Sequence, residues 1–115
     1  MELSVVKVRN ILIVTLPPDP EDSTIIVLQE KVLQAMEKYR VNGLVMDISM
    51  MDTLDSYFAR LISETAQMVH IMGGLTVIAG MQPNVAITTI QLGLRLGNTL
   101  TALNVDRALT LLENR

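Results

Sequence analysis

The segment MDISMMDTLDSYFAR, residues 46–60, gathers three carboxylates, Asp47, Asp52 and Asp55, close to Ser56. Four kinds of chemistry use such a group: nucleophilic catalysis, metal binding, helix capping, and modification of the serine by another protein. A nucleophilic serine needs a general base within ~3 Å. His70 is the only histidine, fourteen positions further along the same predicted helix, which is roughly 21 Å at ~1.5 Å per residue. No G-x-S-x-G elbow is present. The chain is therefore expected not to be an enzyme.

Carboxylates suit Mg²⁺ or Ca²⁺. A phospho-aspartate receiver, however, also needs an acidic pair at the end of its first strand and a lysine after a late strand. ILIVTLPPD and LTVIAGMQ supply neither, and no glycine-rich phosphate loop occurs. No metal and no cofactor are expected. A serine at a helix start commonly caps it, accepting an orphan amide. Asp52 or Asp55 could cap instead and leave the Ser56 hydroxyl free. Ala59 stands where a capping box would place an acid. The remaining chemistry is phosphorylation. Helix N-terminal amides and the helix dipole favour an added phosphate, which brings about −1.5 to −2 charges. Beside Asp52 and Asp55 that charge would alter the surface a partner meets.

These residues depend on the elements that carry them. LSVVKV and ILIVTL read as two strands, Leu3 to Val8 and Ile11 to Leu16, joined by a tight Arg9-Asn10 turn. DPEDSTIIVLQEKVLQAMEKYR reads as a helix capped by Asp19, with Pro20 in its first turn and an apolar stripe of Ile25, Leu28, Val32, Met36 and Tyr39. Asn42-Gly43 should end it. GLVMDI is a buried strand, and a loop from Ser49 to Leu54 follows. SYFARLISETAQMVHIMGG is the second helix. Its stripe Phe58, Leu61, Ile62, Thr65, Val69 and Met72 should face a sheet, while Ser56, Arg60, Ser63, Gln67 and His70 face outward. LTVIAG is a strand, PNVAITTIQLGLRLG a third helix fraying from Gly93 to Gly97, and NTLTAL an edge strand. NVDRALTLLENR is a last helix with Asn104 as its cap. This order predicts an α/β fold: a mixed sheet of four to five strands, the first pair antiparallel and the rest mainly parallel, with about four helices. Ser56 then lies just beyond the C-terminal end of a strand, where parallel sheets usually meet ligands and partners.

The 115 residues fit one domain, residues 1–115, with 50% hydrophobic and 18% charged residues. The core must be aliphatic, since the chain has one Phe, two Tyr and no Trp. Net charge is −3 and no basic stripe or aromatic platform is visible, which argues against nucleic acid. No apolar run approaches the ~18 residues of a membrane span, and MELSVVKVRN lacks the pattern of a signal peptide. The expected location is the cytoplasm, with no membrane contact.

The element order, and a buried strand feeding Asp55-Ser56 at a helix start, resemble the STAS domain family, the fold of anti-sigma-factor antagonists and of sulfate-transporter tails. LVMDISMMDTLDSYFARLI and GMQPNVAITTIQLGL are most similar to the single-domain scaffold of the bacterial stressosome. The resemblance implies that Ser56 is the phosphoacceptor of a partner serine kinase of the GHKL ATPase type, and that a PP2C-type phosphatase reverses the reaction. It also implies larger paralogues with sensory domains, a homo-oligomer, and release of a sequestered kinase on phosphorylation. Many direct antagonists read D-S-S-G, whereas Tyr57 and Phe58 follow Ser56 here, which favours the stressosome type. Direct antagonism of an anti-sigma factor and a small anion- or nucleotide-binding module are the alternatives. Asp52, Asp55, Tyr57 and Arg60 are the expected partner contacts. In the third helix Ala86, Ile87, Ile90 and Leu94 are expected to face the sheet. Val85, Thr88, Thr89 and Leu92 then line the other side, as a self-association surface or beneath the C-terminal segment.

Overall fold

Arg9 adopts a left-handed φ of 52°, which gives a two-residue hairpin the twist its strands require. It joins β1 (Ser4–Val8) to β2 (Ile11–Thr15) in antiparallel register, with Val5 opposite Val14. The computed structural model describes residues 4–114, so Leu3 and Arg115 of the terminal expectations lie outside the described residues. Next come α1 (Asp22–Tyr39), β3 (Gly43–Asp47), α2 (Ser56–Ile71), β4 (Leu75–Ala79), α3 (Pro83–Gln91), β5 (Thr99–Ala102) and α4 (Val105–Glu113). The five strands lie in the order β1-β2-β3-β4-β5. Every pair after the first is parallel, so the mixed sheet matches the expectation.

Strand alternation divides the core. Leu12, Val14, Leu44, Met46 and Ile78 point to one face, where they join Ile25, Leu28 and Val32 of α1 and Phe58, Ile62 and Val69 of α2. Ile11, Val45, Val77 and Ala79 point to the other, under Ala108 of α4. Gln29 donates to the Thr65 hydroxyl at 2.9 Å, and that hydroxyl donates to the Leu61 carbonyl at 2.8 Å. The polar link between α1 and α2 is thereby satisfied although Thr65 is buried.

Several helix ends differ from expectation. α1 starts at Asp22 with Glu21 as its N-cap and no side-chain cap bond. Asp19 lies in the bend that precedes Pro20, outside the helix. At the other end Arg40, not Asn42-Gly43, takes the left-handed turn, at φ 55°. That turn drops Val41 into the core, while Tyr39 at the helix end stays 65% exposed. Gly43 instead begins β3, where a side chain would press on Ile11 and on Leu112 of α4.

α2 stops at Ile71, so Met72 leaves the apolar stripe and is exposed. Gly73 donates to His70 O and Gly74 to Val69 O, the paired bonds of a Schellman end. Asn104 caps α4 as expected, accepting the Arg107 amide at 2.9 Å.

Candidate functional site

The loop from β3 to α2 is built from short anchors. The Asp47 carboxylate accepts the Ser49 amide at 2.9 Å. The Met51 amide donates to Ile48 O at 3.0 Å. Met51 and Leu54 insert into the core, each 3% exposed. With those two pegs inward, Asp52, Thr53, Asp55 and Ser56 turn outward.

The cap is Asp55. Its Oδ1 accepts the Phe58 amide at 2.7 Å from an extended backbone, φ −93° and ψ 172°. Ser56 is the first helical residue, and its exposed side chain is not the cap. Tyr57 beside it is half exposed, and Arg60, one turn on, pairs with Glu64 at 3.1 Å on the surface. Arg60, Gln67 and His70 follow on the outer face as expected, whereas Ser63 is half-buried against the Gly97 backbone, with no room for a side chain there. Ser56 and His70 sit at opposite ends of α2, which removes a serine–histidine pair.

A cleft of about 70 Å³ separates the Pro18–Asp22 turn from this loop, lined by Asp19, Asp22, Thr53 and Asp55. Among the described residues no acidic or histidine group is arranged to hold a metal ion. A larger hollow of about 670 Å³ lies between β5 and α4, around Leu103, Arg107 and Leu111, and among the described residues no carboxylate lines it.

The start of α3 closes the loop from the side. Gln82 Nε2 donates to the Ser49 carbonyl at 2.9 Å, and Asn84 Nδ2 to the Asp52 carbonyl at 2.8 Å. Gly80, at φ 77°, passes so close to Ser49 and Asp47 that a side chain there would clash. Sequence reading did not find these donors. The signal was QPN after a strand, a pair of amides on either side of a helix-starting proline.

The rotation of α3 seen with these bonds corrects the sequence expectation for Ile87 and Ile90, while Leu94 packs on the core as expected. Val85 and Thr89 are buried at 1% and 7%, while Ile87 and Ile90 are exposed at 58% and 81%. Thr89 tolerates burial because its hydroxyl donates to Val85 O at 2.8 Å. Thr88, half-buried, donates to Asn84 O, and Leu92 is exposed just past the helix end. Of the expected self-association residues, Val85 and Thr89 are therefore in the core and unavailable to a partner.

Comparison with known proteins bears on this arrangement. The STAS domain family model matches residues 2–108. The chain belongs to the STAS domain family. Two solved chains align along nearly its whole length at 30% identity or more. One is a serine-to-glutamate variant of RsbS from Moorella thermoacetica, 30% identical, covering 99% of this chain and 97% of its own with a TM-score of 0.82. The other comes from the molecular architecture of the stressosome, described as a signal integration and transduction hub. It is 32% identical, with 96% of each chain covered and a TM-score of 0.80. SpoIIAA, an anti-sigma factor antagonist, shares the fold at 15% identity, a TM-score of 0.75, and 98% and 97% coverage. Among curated relatives, the RsbT co-antagonist protein RsbRB of Bacillus subtilis strain 168 is 31% identical over 80 residues, 70% of this chain and 29% of that protein. RsbRA of the same strain is 27% identical over 74 residues, 64% of this chain and 27% of that one. The chain thus spans less than a third of the length of these curated relatives. No helix among the described residues is long and apolar enough to cross a membrane.

Proposed function

We propose that this STAS domain is a non-enzymatic scaffold of a cytoplasmic stress-signalling assembly that holds a serine kinase and releases it when Ser56 is phosphorylated. The observation that carries the reading is the division of labour at the start of α2. Asp55 supplies the cap, so the exposed Ser56 hydroxyl can be modified without first being freed from the helix.

A phosphate at Ser56 would face the first amides of α2, which favour an anion. It would also sit between the acids of its own surface, Asp52 and Asp55. The added charge of about −1.5 to −2 then changes that patch from moderately to strongly acidic. Contacts made by a kinase at Asp52, Asp55, Tyr57 and Arg60 would weaken, while the core pegs Met51 and Leu54 keep the fold.

The names of its relatives support the signalling context: RsbS, the stressosome, and co-antagonists of RsbT. In this reading the kinase is of the GHKL type, a PP2C-type phosphatase resets the switch, and larger STAS paralogues with sensory domains complete a homo- and hetero-oligomeric particle. Incubation with the kinase and ATP should label the wild type at Ser56 and leave Ser56→Ala unlabelled. Equal incorporation into both would remove Ser56 as the acceptor.

A further inference from the structure

Gln82 occupies the N-cap position of α3, yet its side chain makes no cap bond to the helix. A residue at that position usually accepts an amide from its own first turn. Here the amide group is aimed elsewhere, at the Ser49 carbonyl, and Asn84 on the far side of Pro83 is aimed at the Asp52 carbonyl. These bonds join segments 33 and 32 residues apart. The loop they reach is irregular, with the Met51 amide and the Asp47–Ser49 turn as its own local anchors. Met51 and Leu54 fix it from below, and the two amides fix it from the side.

We propose that Gln82 and Asn84 are positioning residues that hold the Ser49–Asp52 loop in the conformation in which Ser56 is presented to its kinase. This role rests on the reading of Ser56 as the phosphoacceptor. A kinase must seat the loop residues before Ser56 together with the hydroxyl. A loop ordered in advance spares the complex the entropy of ordering it during docking. Without the two donors the loop keeps its pegs but samples other conformations, so productive docking weakens while the chemistry of the seated serine is unchanged.

The test uses Gln82→Met and Asn84→Leu in the full chain. Each removes the donor at nearly the same size and adds no charge beside Asp52 and Asp55. Both bonds are exposed, so the core is untouched. Hydrogen exchange across residues 49–55 should quicken by about fivefold, the range for loss of one net hydrogen bond. In steady-state phosphorylation KM should rise by a similar factor, kcat should stay within about twofold, and the melting temperature should fall by no more than about 5 °C, the shift expected from one net hydrogen bond.

Wild-type exchange and wild-type KM in both variants would overturn the positioning role. So would a parallel loss of kcat and thermal stability, which marks a general structural defect. The two readings fail separately. A wild type that takes no phosphate at Ser56 removes the functional reading, whereas a phosphorylated wild type whose KM the variants share removes only the role of Gln82 and Asn84.

Discussion

Asp55 and Ser56 are adjacent, and both residue types cap helices well. The sequence therefore left Ser56, Asp52 and Asp55 open as caps. The choice is made by Met51 and Leu54, whose burial sets the register of the loop and delivers Asp55 to the Phe58 amide. Asp55→Ala should cost about 1 kcal/mol of stability in urea denaturation, and Ser56→Ala should change it by less than about 0.5 kcal/mol, as surface substitutions do. The reverse order would mean that Ser56 caps α2. A different residue departs from the usual rule of satisfied buried polar groups: Thr76, 1% exposed on β4, has a hydroxyl without a hydrogen-bond partner. Thr76→Val keeps the β-branched shape and removes the orphan, so stability should rise by about 1 kcal/mol. A fall would show that the hydroxyl is satisfied in solution. That orphan was not legible from LTVIAG, because threonine fits a strand equally well on either face.

At the scale of elements, strand alternation and helical period carried most of the architecture. Paired turn residues, Asn104 and Gly73-Gly74 marked boundaries that the backbone respects. α3 was misread because isoleucine outranks threonine in hydrophobicity, and the more apolar side was assigned to the sheet. Its rotation goes with Gln82 and Asn84 reaching across to another loop, a contact between distant segments that no periodicity encodes. The correction is testable within one helix. Val85→Ala should destabilise by about 2 kcal/mol through a core cavity, and Ile90→Ala should stay within about 0.5 kcal/mol. Exchanged magnitudes would restore the original phase. The outward Ile87, Ile90 and Leu92 leave an apolar strip along α3 and just past its end.

At the scale of the whole molecule, the sheet is closed on one face by α1, α2 and Val85 of α3, and on the other by α4. The acid-rich loop stands at the C-terminal end of β3, so a charge added there leaves both cores intact. A scaffold built from such units should form a large particle with its paralogues. Size-exclusion chromatography with light scattering should show a megadalton species in the mixture, and a strict monomer in every mixture would remove the scaffold. The switch itself is tested most directly by kinase retention. The particle is assembled with the kinase from wild-type chain or from Ser56→Ala and then chromatographed before and after ATP is added. The wild-type particle should lose its kinase on ATP addition, and the Ser56→Ala particle should keep it. Release from both particles, or retention by both, would contradict a switch at Ser56.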